Sequence, residues 1–271
     1  MPRRWSQWAG HSSFWSFDLH RISCLRFVRK LAVSAALLGL VVLALRFGIR
    51  SARISGIGLE GAIDPMMLGL VWDSPLGTTA LWRATGELLI FAVLIESTIG
   101  MTVSLLGTLL IAVSYTLVGH SLGDPRWLLA ALVGVHLLAG AFWVGALAPL
   151  HLAVKQTGGA AMLHRFGTIA SGTVAVLGLV GLTFAWLMIG TVGELFGTAY
   201  GWTLITKLIV VTGLLGLAAK NKFRLVPSLA SGDPSAPDRL RRSICLEFIA
   251  VGLILLATST LTTITIPPAN L

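Results

Sequence analysis

Of the chain's 271 residues, 55% are hydrophobic and 11% charged, with a mean hydropathy of +0.87. Soluble domains carry about 25% charged residues, so this composition excludes a water-soluble globule and makes lipid the solvent. The formal charge of +9 does not form a stripe suited to nucleic acid; Lys and Arg gather at the ends of apolar runs, as in a multi-pass protein with a cytoplasmic face. Cys24 and Cys245 are the two cysteines, too few for a disulfide framework or a zinc site.

Residues 1–30 are basic and aromatic, a cytoplasmic segment in which Trp15, Leu19 and Ile22 share a helical face with Arg26. This suits a segment lying along the membrane surface. The apolar run from Leu31 is too long for a signal h-region and is expected to be retained. A span needs about 20 apolar residues. The runs 31–49, 80–99, 101–119, 127–151, 166–190, 200–219 and 244–264 qualify, the second weakened by Arg83, Glu87 and Glu96. Between the first two lies an outer loop, 50–79, whose "DPMMLGLVWDSP" is apolar enough to touch the interface. A cytoplasmic loop, 220–243, carries "SLASGDPSAPD", which reads as a flexible connection. With seven spans and the N-terminus inside, fourteen of the 20 Lys and Arg fall on the cytoplasmic side. Removing the second span would put either the basic N-terminus or the basic 220–242 loop outside, against the positive-inside rule. The expected fold is therefore all-α, a polytopic bundle of seven transmembrane helices over residues 31–266, with a cytoplasmic N-terminus and a periplasmic C-terminus.

Chemistry concentrates on the fourth run. Between Arg126 and Lys155 there is no Asp, Glu, Lys or Arg, yet His136 sits inside. Helical spacing places His136, Gly140, Trp143, Leu147 and His151 near one face, with Gly140, Ala141, Gly145 and Ala146 allowing a neighbouring helix close. An intramembrane ionisable group points to function; the plainer alternative is a neutral His bonded to a hydroxyl on the next helix. His120 ends the third span, and Asp124–Pro125 then forms a helix start. His136 lies about 15 Å deeper along the fourth helix at about 1.5 Å per residue, too far for one ion to meet both rings, so two stations on one path fit better.

Imidazole suits copper in either oxidation state and thioether suits Cu(I). Met188, near the outer end of the fifth span, is a candidate ligand, and His151 and His164 bracket the inner loop between the fourth and fifth spans. The Met66–Met67 pair reads as an apolar anchor, and His20 with Cys24 as a surface pair. Three charges at lipid depth, Glu87, Lys207 and Glu247, require partners; Glu87 pairs most simply with Lys207, with Arg83 as the alternative. There is no G-x-x-x-x-G-K-[ST] or G-x-G-x-x-G motif and no nucleophile–base constellation, so no enzyme is expected.

"GHSLGDPRWLLAALVGVHLLAGAFWVGALAPL", followed by "RFGTIASGTVAVLGLVGLT", "GTAYGWTLITKLIVVTGLLGLAAKNKFRLVP" and "LRRSICLEFIAVGLILLA", resembles the copper resistance protein D (CopD) family of bacterial inner-membrane proteins. With the upstream "LGTTALWR", the resemblance spans about residues 76–268. It implies copper movement across the inner membrane, inward and beside a periplasmic copper-binding protein. It marks His120, His136 and Trp143 as motif positions and Arg165, Tyr200, Gly201, Lys207 and Glu247 as framework. The long aromatic N-terminus and low Met content depart from the family pattern.

The expected path meets copper near His120, aided by Met188, passes His136 beside the Trp143 ring, and leaves near His151 or His164. Copper is then transported or transiently bound, with no nucleotide. Two other readings stand beside it. One is a haem b electron carrier, for which only His151 and His164 look level; the other is a non-catalytic subunit of a larger membrane complex.

Overall fold

The computed structural model describes residues 8–119, 125–156 and 158–264, with side chains from Leu25 onward except Thr263. His120, Asp124 and the C-terminal "IPPANL" lie outside the described residues, as do the side chains of Trp15, Leu19, His20, Ile22 and Cys24. The described residues are helical, with no strand among them. They fall into two compact units, one of residues 21–134 and one formed by residues 1–20 with 135–271.

Helix α1 (Trp8–Ser55) runs for 48 residues without a break, and its part from Arg21 onward belongs to the first unit. The basic N-terminal segment and the first expected span are thus one helix, because no proline interrupts the sequence between Trp8 and Ser55. The outer loop is largely built rather than open. A 3-10 turn covers Gly58–Ala62 and helix α2 covers Pro65–Trp72. Asp64 starts α2, its side chain accepting from the Met67 amide at 2.8 Å with Pro65 in the first turn. Ser74 and Pro75 repeat the device for α3 (Pro75–Ile90), and Ser97 caps α4 (Thr98–Thr116) by accepting from Gly100 N at 3.1 Å.

The second expected span, 80–99, is divided. Helix α3 ends at Ile90, a 3-10 turn follows over Phe91–Leu94, and Ile95 is extended before the Ser97 cap. Sixteen residues reach about 24 Å, short of a hydrocarbon core of about 30 Å. Six helices among the described residues are long and apolar enough to cross a membrane: Leu25–Ser55, Thr98–Thr116, Arg126–Ala153, Gly159–Ile189, Ala199–Ala230 and Ala236–Thr262. The chain is a multi-pass membrane protein of six such helices, and α3 with its 3-10 extension is not among them.

Helices α3 and α4 pack backbone to backbone. A Cβ added at Gly86 would stand 2.7 Å from Gly107 O, and one at Gly107 would stand 2.5 Å from Gly86 O. Small residues give this approach, and in lipid the packing it permits replaces the hydrophobic effect as the force joining helices. Beside it, Arg83 donates from Nε to Ser114 Oγ at 3.1 Å and lies 3.8 Å over the Tyr115 ring. Glu87, buried, lies against Gly39 of α1, and Arg29 pairs with Glu96.

The second unit takes α5 (Arg126–Ala153) from Val135 onward, then α6 (Gly159–Ile189), α7 (Val192–Gly197), α8 (Ala199–Lys220), a π-helical turn (Asn221–Leu225), α9 (Val226–Ala230) and α10 (Ala236–Thr263). Helices α6 and α10 begin several residues before their apolar runs, since a helix can extend past the hydrocarbon with its polar turns in water. The supposed flexible stretch is ordered. Gly232 takes φ 81°, and Asp233 Oδ1 accepts from Ser235 N at 2.9 Å and Ser235 Oγ at 2.7 Å, while Arg239 pairs with its other oxygen. The Ser235 hydroxyl and amide hold the Asp233 carboxyl below the usual carboxylate range. The core joins Trp143, Leu147 and Leu150 of α5, Leu163 of α6, Leu214 of α8, Leu225 and Val226 at the α9 junction, and Leu240, Ile244 and Val251 of α10.

Candidate functional site

Helix α5 carries the site because its whole interior lacks charge, so a polar group placed there stands out against the lipid and the core. His136 is half-buried, and the α6 backbone reaches it at Gly181. A Cβ at Gly181 would lie 3.8 Å from His136 Cε1 and 3.9 Å from Nδ1, so the glycine lets α6 lie against the imidazole face. No hydrogen bond to the His136 ring is formed by any described residue. Lys207 stands on α8 in the same unit.

The other expected copper ligands are spread along the unit. Met188 is buried near the end of α6, seven residues or about 10 Å beyond Gly181 at about 1.5 Å per residue. His151 lies fifteen residues from His136 on α5, about 22 Å away on the same measure. His164 is exposed in the first turns of α6, toward the opposite end of that helix from Met188. Among the described residues no three His, Cys, Asp or Glu side chains converge to hold a metal. The arrangement offers separate stations rather than a cage.

Trp143 is placed differently from a ring lining a path. It is buried in the core, and its indole N–H is directed at the Glu247 carboxylate of α10 without reaching full hydrogen-bond geometry. Glu247, 5% exposed, accepts from Asn221 Nδ2 at 2.6 Å. Asn221 Oδ1 and Ser243 Oγ are also buried without a protein partner, so α5, the π turn and α10 together enclose a group of under-satisfied polar side chains. Asn221 and Ser243 escaped the sequence reading. Asn221 followed Lys220 and looked like the start of a loop, but the spacing Leu214, Ala218, Asn221, Leu225 is a continuing helical face. The π turn, a form that concentrates at functional sites, keeps it pointing inward.

Glu247→Leu should lower stability more than Glu247→Gln. The leucine removes the acceptor of a buried amide, costing about 1–3 kcal/mol, whereas glutamine keeps an acceptor oxygen in the same shape. Thermal unfolding of the purified protein in detergent reads this, and equal losses would mean that the Asn221 contact carries no stability.

At the end of α5, His151 meets α10. Arg241 Nε donates to His151 Nε2 at 3.1 Å, and Cys245 Sγ lies 3.9 Å from His151 Nδ1. These residues, with Asp238, Arg242 and Leu246, line an open cleft of about 780 Å³. The expected Glu87–Lys207 partnership joins residues of different units: Glu87 lies against Gly39 with the Arg83 charge in reach, and Lys207 stands on α8.

No curated protein and no solved structure matches the chain. One family model does, described as copper resistance protein D, over residues 160–261. That stretch takes in α6 through most of α10, with Met188, Lys207, Asn221, Cys245 and Glu247, and begins after the His136-bearing helix. Over residues 160–261 the chain is thus similar to the copper resistance protein D (CopD) family, a family named for copper resistance.

Proposed function

We propose that the protein moves copper ions across the bacterial inner membrane, as a permease or as the membrane accessory of one, and that it is not an enzyme. The observation carrying this reading is His136, an imidazole inside an uncharged helix, against Gly181, with no described residue bonded to its ring nitrogens. A buried neutral imidazole supplies a strong metal ligand without the larger penalty of a buried carboxylate. Copper is the cargo, met on the outer side near His120 and Met188, handed to His136, and released toward His151 and His164. Trp143 sits between the last two stations on α5. A periplasmic copper-binding protein is the expected donor, and association with a larger membrane complex fits an accessory role. The experiment is metal analysis and copper uptake with the wild-type protein and His136→Ala, inserted at equal levels. A visible spectrum of the same preparations tests the haem b reading.

The orientation belongs to the same proposal, with the N-terminus and the 220–243 loop cytoplasmic, α3 and its 3-10 turn crossing as the seventh span, and the C-terminus periplasmic. Reporter fusions at residue 232 should read as cytoplasmic and fusions after residue 266 as periplasmic. A periplasmic signal at 232 would overturn the seven-span arrangement.

A further inference from the structure

We infer that His151 and Cys245 together form a Cu(I) station at the mouth of the second unit. This rests on the copper-transport reading and deepens it by adding a ligand, Cys245, and fixing the oxidation state carried. The observation is the thiol–imidazole contact itself. His151 Nδ1 and Cys245 Sγ stand 3.9 Å apart on two different helices, α5 and α10, both facing the cleft that Asp238, Arg241, Arg242 and Leu246 also line. With metal–nitrogen and metal–sulfur bonds of about 2.0 and 2.3 Å, a single ion bridging a 3.9 Å gap subtends an N–metal–S angle of about 130°. No backbone movement is needed, and the angle lies between trigonal and linear. One thiolate and one imidazole form a soft, low-number donor set, which selects Cu(I) over harder divalent ions. Cys245 is exposed, so the ion stays open to attack by an incoming thiolate from a soluble acceptor.

The proton balance is simple. In the metal-free arrangement Arg241 donates to Nε2, so a neutral ring carries its proton on Nδ1, facing Cys245 Sγ. When Cu(I) binds, the thiol proton leaves to solvent and the copper–sulfur bond forms. The ring proton moves to Nε2, Nδ1 gives its lone pair to copper, and no electron changes hands. Arg241 must then turn away from Nε2 into the open cleft that it lines. Arg241 thus favours the empty state and promotes release.

The test uses the full-length protein in detergent, in a Cys24→Ser background so that Cys245 is the remaining thiol. It is titrated anaerobically with Cu(I) against a competing chelator, with X-ray absorption to identify the ligands. The expected result is a Cu(I) ion with one sulfur and one nitrogen neighbour. Affinity should fall at least about tenfold in Cys245→Ser and in His151→Gln, and rise in Arg241→Gln. Absence of Cu(I) binding, a bound ion without sulfur, or equal affinity in Cys245→Ser would each overturn the assignment. Failure of the transport reading is separate: it would appear as full uptake in His136→Ala while Cys245-dependent binding persists.

Discussion

Copper uptake by His136→Ala should fall at least about tenfold, with insertion and folding preserved. A tenfold change corresponds to about 1.4 kcal/mol of lost interaction, modest for a protein ligand offered to a dehydrated cation at that depth. Folding should survive because the ring makes no hydrogen bond that its removal would strand. It sits above the Trp143–Val251 core rather than in it, and its close neighbour on α6 is a glycine. A transport station must also release its ion, the condition that governs conducting sites generally. The expected release device is Lys207, a lysine on α8 in the same unit, since a like charge opposes a cation seated near it. Lys207→Met should therefore lengthen copper retention while His136→Ala abolishes it, an opposition that a purely structural pair would not produce. Radioactive or isotopic copper uptake into vesicles measures both. Undiminished uptake in His136→Ala would reduce His136 to a packing residue.

Gly107→Leu should prevent correct assembly of the first unit. A Cβ at that position already falls 2.5 Å from Gly86 O and 2.9 Å from Leu89 Cβ, with Ile90 N at 3.2 Å. Two of the three obstacles are backbone atoms, so no rotamer change relieves the clash and α3 must move away from α4. Overpacking of a well-fitted interior typically costs about 1–3 kcal/mol, and three further carbons against backbone place this case at or above the top of that range. The separation would also pull Arg83 from Ser114 and Tyr115, which lie on α4. Gly86→Leu should be as damaging, and the double substitution little worse than either, since both remove the same contact. Folded yield in detergent and resistance to proteolysis would show this. Near-normal yield in both single variants would mean that α3 and α4 do not pack through these glycines.

Much of the architecture was legible because lipid imposes a simple requirement. Every backbone polar group must be paired within its own segment, so apolar runs of sufficient length had to be helices, and the runs 101–119, 127–151 and 200–219 closely match α4, α5 and α8. The run at 80–99 misled because hydropathy averages over a window and does not register the stop at Ile90, where Ile95 turns extended ahead of the Ser97 cap. The 228–238 connection was misjudged for the opposite reason. Its polarity was read as flexibility, yet Asp233 and Ser235 supply hydrogen bonds that order it, and the N-terminal segment, expected as a helix along the surface, instead continues into the first span as one helix.

By itself, the sequence determined that the chain lives in lipid, that it is helical, and that His136 is anomalous, since each follows from composition and the price of polarity in hydrocarbon. Only the tertiary structure decided which polar groups meet. Asn221 joins Glu247 because a π turn rotates it inward, and Cys245 joins His151 because α10 passes the end of α5. Such meetings depend on helix rotation and crossing, which small residues and local turns set by fractions of a turn. Residues 94 positions apart carry no mark of their proximity in a one-dimensional pattern, since periodicity fixes the face of a helix and not the neighbour that covers it.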